Sequence, residues 1–247
     1  MVLNFNDLDS AIPLDVKLIG VGSAGCATIV RLRDALPGAM DTLGIDNVSK
    51  IDANRYGLDV INIGGTFGSG GDAARAAGMF VGKEASVSKF VRGADVVVIA
   101  AGMGRGTGSG VAPLVADIAN DSGAWTLAVV HMPFRFEGHR RQDSAERALS
   151  NLERVVDGAL VIDNNDLIQS GDRTLISAFE HVQHATANCI RSVLSNLNGP
   201  RQRLSDLRES LRAACYDRHP NNVKWSQTGV NTGSSTMGIK LIENPAT

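Results

Sequence analysis

The chain has 247 residues, of which 43% are hydrophobic, and is long enough to bury a large core as one big domain or two small ones. Its formal net charge of −2 gives no electrostatic reason to expect nucleic acid or an anionic membrane as the main partner. No apolar run approaches the roughly 18 residues that span a bilayer, and the start of the chain lacks the pattern of a secretion signal, so we expect a cytoplasmic protein. The three cysteines are odd in number and lack nearby histidine pairs, which predicts reduced thiols and no disulfide framework or zinc site.

Six short apolar runs alternate with longer stretches of helical periodicity. The predicted strands are residues 16–21, 42–46, 59–63, 95–101, 125–131 and 159–163. This alternation predicts an α/β, Rossmann-like fold, a mainly parallel sheet with helices on both faces. Glycine or small polar residues follow several of the runs, at the edge where open α/β sheets form their ligand crevice.

The later part of the chain changes character. Apolar residues recur at helical spacing over 174–197, which predicts one long helix along the sheet, and Gly199-Pro200 ends it. We expect a nucleotide-binding domain over residues 1–215. The polar tail, 216–247, contains two segments, 223–227 and 236–242, that are predicted to form a short strand pair covering a sheet edge or adding to a neighbour.

The first glycine-rich loop, residues 20–25 (GVGSAG), follows a predicted strand and opens a helix. Small residues there let backbone N–H groups and the helix N-terminus approach a phosphate closely. The same pattern is typical of dinucleotide-binding enzymes, and Asp46 stands about 20 residues further on, where a dehydrogenase holds the ribose. This loop alone leaves an NAD-dependent dehydrogenase open. The candidate phosphate contacts of this first loop are Gly22, Ser23, Ala24, Gly25 and Cys26.

The second glycine-rich loop, residues 102–110 (GMGRGTGSG), also follows a predicted strand and leads into a helix. Alternate glycines, which tolerate positive φ, let consecutive backbone amides form an anion-binding nest, and Thr107 adds a hydroxyl. The density of glycines favours phosphate binding over a merely flexible loop. No GxxxxGK[ST] motif occurs, which excludes a P-loop nucleotidase.

This second loop resembles the signature loop of the tubulin/FtsZ family, with Arg105 at a glycine position, and the VAPLVA that follows resembles the family's continuation. Residues 132–141 (MPFRFEGHRR) resemble the family segment that meets ribose and phosphates, which implies nucleotide contacts by Glu137 and Arg141. Taken by themselves, the arginine is a forked donor suited to phosphate and the glutamate an acceptor suited to a sugar hydroxyl. The alternative is a surface ion pair at the start of a helix.

Two further positions resemble the family's base-binding residues. Asn164 falls where the family uses an amide to read the guanine edge, and Phe179 where it stacks a ring on the base. Gln183 stands where the family has Asp or Asn, and its amide discriminates guanine less strongly than a carboxylate. For Phe179 the alternative is a core residue on an amphipathic helix.

The resemblance also places Asp46 near the phosphates and magnesium, and identifies residues 68–73 with a shortened γ-phosphate loop. It covers about 16–215 and implies GTP or GDP and Mg²⁺ as cofactors. The candidate nucleotide contacts outside the first loop are therefore Asp46, Gly70, Gly71, Gly104, Arg105, Gly106, Thr107, Gly108, Pro133, Glu137, Arg141, Asn164, Phe179 and Gln183.

The hydrolytic loop of the family carries an Asn and two acids, and residues 200–209 resemble it with Leu204 at the Asn position. Asp206 and Glu209 are then the candidate catalytic acids, reaching the nucleotide of the next subunit in a filament. Residues 206–209 also fit a helix capping box. We expect a GTPase whose site is completed by self-association. One alternative is a non-enzymatic nucleotide-binding module that caps or regulates the filaments of a full-length relative, which has the family's second domain. A less favoured alternative is the NAD-dependent dehydrogenase, because the sequence offers no convincing proton donor for it.

Overall fold

The computed structural model describes residues 15–36, 40–47, 57–64, 68–165, 186–187, 190, 223–225 and 239–243. The strands are β1 (Val16–Val21), β2 (Asp41–Asp46), β3 (Asp59–Asn62), β4 (Val96–Gly102), β5 (Trp125–Met132), β6 (Gly158–Asp163), β7 (Val223–Trp225) and β8 (Ile239–Glu243). The helices are α1 (Gly22–Ala35), α2 (Ala73–Phe80), α3 (Glu84–Val91), α4 (Gly106–Asp121) and α5 (His139–Leu152), with a 3₁₀ turn at Arg135–Glu137.

The strands form one sheet in the order β3-β2-β1-β4-β5-β6-β8-β7. The first six are parallel, β8 runs antiparallel to β6, and β7 is parallel to β8. The predicted mainly parallel α/β sheet is confirmed, and each of its six predicted strands agrees with an observed strand to within one residue at either end. The strand order reverses between β1 and β4, which is where sheets of this kind leave a crevice at their carboxyl ends.

Both faces of the sheet are covered, as predicted. Helices α2 to α5 pack on one face, where the core includes Phe80, Val115 and Leu152. Helix α1 packs on the other face together with two helical residues, Ala187 and Ile190. Burial on both faces explains why β4 reads as an unbroken apolar run rather than an alternating one.

Much of the C-terminal part falls outside this description. Of the predicted helix 174–197, only residues 186, 187 and 190 lie within the described part, and they are helical and buried. The predicted loop 200–209 lies outside the described residues. Strands β7 and β8 overlap the two tail segments noted above. Among the described helices, none combines the length and apolar character that a bilayer crossing requires.

Candidate functional site

A cleft of about 1370 Å³ opens at the carboxyl ends of β1 and β4. Four pieces of chain line it: the start of α1, the segment before α2, the second glycine-rich loop with the start of α4, and one side of α5. The sequence-predicted residues that line it are Gly22, Ser23, Ala24, Gly70, Gly71, Gly104, Arg105, Gly106, Thr107, Gly108, Glu137 and Arg141. The structure therefore brings three separately predicted loops and the 132–141 segment to one place.

The N-termini of α1 and α4 meet at the floor of the cleft. A Cβ on Gly22, whose φ is +74°, would lie 3.3 Å from the backbone nitrogen of Gly108. Neither helix has a side-chain cap, since Val21 and Arg105 at the two N-cap positions make no capping hydrogen bond. The first N–H groups of two helices thus converge without side-chain partners, and such groups bind anions.

Two residues predicted as phosphate contacts face the sheet instead of the cleft. Gly25 packs against the carbonyl oxygen of Ala100, which a Cβ would overlap. Cys26 is fully buried and its thiol donates to the carbonyl of Gly20 at 3.4 Å. These residues let α1 approach the sheet and so position the loop in front of them.

Asp46 lies behind the first loop, nine-tenths buried, and does not line the cleft. One carboxylate oxygen accepts the Ser23 hydroxyl at 2.7 Å, and the other accepts the backbone N–H of Asn47 at 2.8 Å. The family resemblance puts a glycine at position 23, so the serine adds a hydroxyl that occupies this carboxylate. Ser23 itself is exposed and lines the cleft.

The second loop is held rigidly against its neighbours. Gly104 has φ +84°, and its N–H donates to the Ser109 hydroxyl at 2.9 Å. A Cβ on Gly104 would lie 2.7 Å from the carbonyl oxygen of Arg141, so the loop touches α5 directly. On its other side, a Cβ on Gly106 would overlap the hydroxyl of Ser69. Glycine is needed at these positions because backbone or side chain fills the space of a Cβ.

Glu137 ends the 3₁₀ turn and accepts two hydrogen bonds. Its Oε1 takes the backbone N–H of Phe134 at 2.9 Å, and its Oε2 pairs with Arg141 one helical turn later. The ring of Phe134 stacks on that of Phe136, with centroids 4.8 Å apart. The turn is therefore held by contacts within the chain itself.

Arg141 is mostly buried at the cleft wall. Its Nη1 bonds Glu137, whereas its Nε is buried and has no hydrogen-bond partner among the described residues. Burial and the charge of Arg105 both lower the pKa of Arg141. Because a buried, unpaired N–H costs about 1–3 kcal/mol, an anionic ligand that accepts from it would be stabilised.

Some cleft residues escaped the sequence analysis. The side of α5 that faces the cleft carries Arg140, Ser144, Arg147 and Asn151, at helical spacing, together with Ala148. Ser69, Asp72 and Ser109 also line it. The polar stripe on α5 was visible as periodicity in the sequence, but only the fold shows which face of α5 looks into the cleft.

Pro133 and Asn164 lie near the end of β5 and β6 and do not line the cleft. Pro133 is buried, and its carbonyl accepts from the side chain of Asn165 at 3.3 Å. Asn164 is half-buried, and its side chain lies beside His131, whose pKa it raises against the larger effect of burial. Phe179, Gln183, Asp206 and Glu209 lie outside the described residues.

The described residues do not fit a magnesium site of their own. Mg²⁺ is usually held by one or two carboxylates together with phosphate oxygens and water. Both oxygens of Asp46 are engaged, and the two acids that line the cleft, Asp72 and Glu137, already accept hydrogen bonds from the protein. Within the described part of the chain, no group of three potential ligands clusters as a metal site would require.

Comparison with known proteins identifies the fold and the loops. The model of the Tubulin/FtsZ family, GTPase domain, matches residues 15–172. The cell division protein FtsZ of Mycoplasmopsis pulmonis is 33% identical over 187 residues, which cover 70% of this chain and 46% of that protein. FtsZ of Aquifex aeolicus is 31% identical over 197 residues, covering 74% of this chain and 52% of that protein. The chain thus spans about half the length of the curated relatives it matches.

Solved structures agree. An empty FtsZ dimer of M. jannaschii superposes with a TM-score of 0.68 at 25% identity, over 85% of this chain and 65% of that one. CetZ2 from Haloferax volcanii, a GTPγS-bound protofilament, gives 0.67 at 24% identity over 81% and 64% of the two chains, which shows the shared fold. The family resemblance predicted from the second glycine-rich loop and residues 132–141 is therefore confirmed, and the NAD-dependent dehydrogenase that the first loop left open is set aside. The chain belongs to the tubulin/FtsZ family and contains its GTPase domain.

Proposed function

We propose that the cleft binds GTP or GDP with the phosphates between the N-termini of α1 and α4. The observation that carries the proposal is the contact of Gly22 with Gly108, which joins two uncapped helix N-termini within reach of the cleft-lining Arg141. Glu137 is proposed to accept a ribose hydroxyl and Asn164, Phe179 and Gln183 to contact the base. The family match, and the GTPγS-bound state of the CetZ2 structure with the same fold, support guanine as that base.

We expect magnesium to enter with the nucleotide, bound by phosphate oxygens and water. In the described part of the cleft, Glu137 accepts hydrogen bonds on both carboxylate oxygens and Asp72 on one, and no three potential ligands form a cluster there. The step assigned to this chain's own residues is binding and orientation of the phosphates by backbone N–H groups and the guanidinium of Arg141.

The binding proposal is tested first by denaturing freshly purified protein and identifying any released nucleotide by chromatography. Titration calorimetry of nucleotide-free protein with GTP, GDP, ATP and NADH then measures selectivity. Arg141→Ala should lower the affinity for GTP about 10- to 100-fold, which is the range expected for the loss of a charge-assisted hydrogen bond. The matched control is Arg92→Ala, an exposed arginine outside the cleft. Binding of NADH but not of GTP would refute the proposal.

We further propose that GTP is hydrolysed when a second copy brings Asp206 and Glu209 to the nucleotide. Turnover per molecule should then rise with protein concentration, and Asp206→Ala should abolish it while leaving GTP affinity unchanged. Unchanged turnover in Asp206→Ala would refute the catalytic role. Tight binding without turnover at any concentration, and without sedimenting polymer, would instead support the non-enzymatic filament-capping role.

A further inference from the structure

Four arginines line the cleft: Arg105, Arg140, Arg141 and Arg147. We call them the arginine cluster. The acids that line the same cleft are Asp72, which caps α2, and Glu137, which is paired with one of the four. The described wall of the cleft therefore carries an excess of positive charge, although the whole chain has a formal net charge of −2. Such a concentration of one sign in a cleft attracts polyanions.

Arg105 has a distinct position within the cluster. The floor of the cleft is the junction of Gly22 with Gly108, where the two helix N-termini meet. Two glycines of the second loop that precede Gly108 also make close contacts. Gly106 touches Ser69, and Gly104 touches Arg141. Arg105 thus stands in the loop between a glycine that touches the start of α5 and a glycine that touches the segment before α2.

The side chain of Arg105 is exposed and forms no ion pair with any described residue. Arg105 and Arg141 both line the cleft, and the positive charge of Arg105, after burial, contributes to lowering the pKa of Arg141. Glu137 pairs with Arg141, whereas no acid among the described residues offsets the charge of Arg105. An anion bound beside Arg105 would therefore gain charge-assisted hydrogen bonds from it.

We propose that Arg105 is a specificity-determining residue that binds the third phosphate of a triphosphate, so that the cleft holds a triphosphate more tightly than a diphosphate. This inference rests on the proposed nucleotide binding and deepens it. The helix N-termini at the Gly22–Gly108 junction supply donors for a short phosphate chain, and a longer chain that extends along the loop reaches Arg105. The planar fork of arginine suits this role because it offers two parallel N–H groups to one phosphate.

The test uses the full chain and separates phosphate recognition from base recognition. Inorganic pyrophosphate and tripolyphosphate are titrated calorimetrically without magnesium, at one pH and salt concentration, into wild type, Arg105→Ala and Arg105→Lys. Arg92→Ala is the matched control, and Arg147→Ala tests whether another member of the cluster has the same role. Because Arg105 is exposed and unpaired, its replacement leaves the described packing unchanged.

In wild type, tripolyphosphate should bind about 10-fold more tightly than pyrophosphate, a gain of one good charge-assisted contact. Arg105→Ala should remove most of that difference with pyrophosphate affinity unchanged, and Arg105→Lys should retain part of it. The proposal would be overturned if Arg105→Ala kept the ratio of tripolyphosphate to pyrophosphate affinity, or if it weakened the binding of both anions equally. Loss of the tripolyphosphate preference only in Arg147→Ala would also overturn it.

GTP, GDP and ATP are then titrated into the same variants. If the ratio of GTP affinity to GDP affinity is the same in wild type and in Arg105→Ala, the inference falls while the proposed function stands. If tripolyphosphate shows the Arg105-dependent preference but guanine nucleotides bind no better than adenine nucleotides, the inference stands and the proposed base selectivity falls. Failure of wild type to bind either inorganic anion would overturn the inference.

Discussion

Gly25 of α1 packs directly against the carbonyl oxygen of Ala100 in β4, and a Cβ on the glycine would overlap that oxygen. The contact brings the start of α1 onto the sheet and sets the first glycine-rich loop beside the second. Because the obstacle is backbone on both sides, the collision cannot be relieved by a rotamer change. The position of the loop therefore depends on the absence of a side chain at residue 25.

We predict that Gly25→Ala lowers the free energy of unfolding by about 3 kcal/mol, the upper end for overpacking a core. The control is Gly78→Ala, an exposed glycine inside α2 with nothing within 4 Å of its Cβ position. That change should raise stability by about 0.5–1 kcal/mol because alanine has the better helix propensity. Urea denaturation measures both, and a Gly25→Ala protein as stable as wild type would contradict the packing described.

A buried histidine should make stability depend on acid pH. The hydroxyl of Thr28 donates to the carbonyl of Ala24 at 3.0 Å, and it lies 3.2 Å from His131 Nε2, from whose N–H it accepts. Burial lowers the pKa of His131 to about 4, against a smaller opposing contribution from Asn164 and a further lowering by Arg31. The unfolded chain, with a pKa near 6.5, binds the proton first as pH falls.

Stability from this group is therefore complete above about pH 6.5 and is lost as pH falls toward 4. Between pH 7.5 and pH 5 the loss should be about 2 kcal/mol. His131→Gln should remove this part of the pH dependence, while His139→Gln, at an exposed position, should leave it unchanged. Urea denaturation midpoints at the two pH values measure this loss of stability. If His131→Gln loses as much stability as wild type between pH 7.5 and pH 5, other groups cause the pH dependence.

The thiol of Cys26 should be inert in the folded protein. Burial, and secondarily the nearby charge of Asp46, raise its pKa to about 12, and the residue is fully buried. Alkylation requires the thiolate, so at pH 8 a chain with Cys189 and Cys215 replaced by serine should resist iodoacetamide until urea unfolds it. Mass spectrometry measures the modification. Rapid labelling of the folded double variant would contradict the burial of Cys26.

Ser23 should reduce the dependence of nucleotide binding on magnesium. Its hydroxyl occupies one oxygen of Asp46, and Ser23→Gly would free that oxygen beside the cleft. We expect GDP affinity of the wild type to change little between EDTA and millimolar magnesium, and the affinity of Ser23→Gly to rise at least about threefold with magnesium, since carboxylates are preferred ligands. Ser23→Thr, which keeps the hydroxyl, is the control. Equal magnesium dependence in Ser23→Gly and wild type would refute this explanation.

The sequence by itself determined the parallel sheet and the two glycine-rich loops that follow β1 and β4. Strands such as β1 and β4 are continuous apolar runs because both of their faces are buried, and the glycine-rich loops that follow them leave a local signal in residue type and spacing. The same local signals, with the 132–141 segment, also identified the family.

Only the tertiary structure decided which of the predicted residues share a cleft. Gly25 and Cys26 match the loop pattern but face the sheet, because the direction of a side chain depends on how α1 packs. Asp46 proved to be engaged by Ser23. Arg147 lies outside every sequence motif described above. It shares a cleft with Arg105 because α5 and the second loop, which are separate in the sequence, touch where Gly104 meets Arg141. Such contacts between distant segments depend on packing geometry, which residue type and spacing do not encode locally.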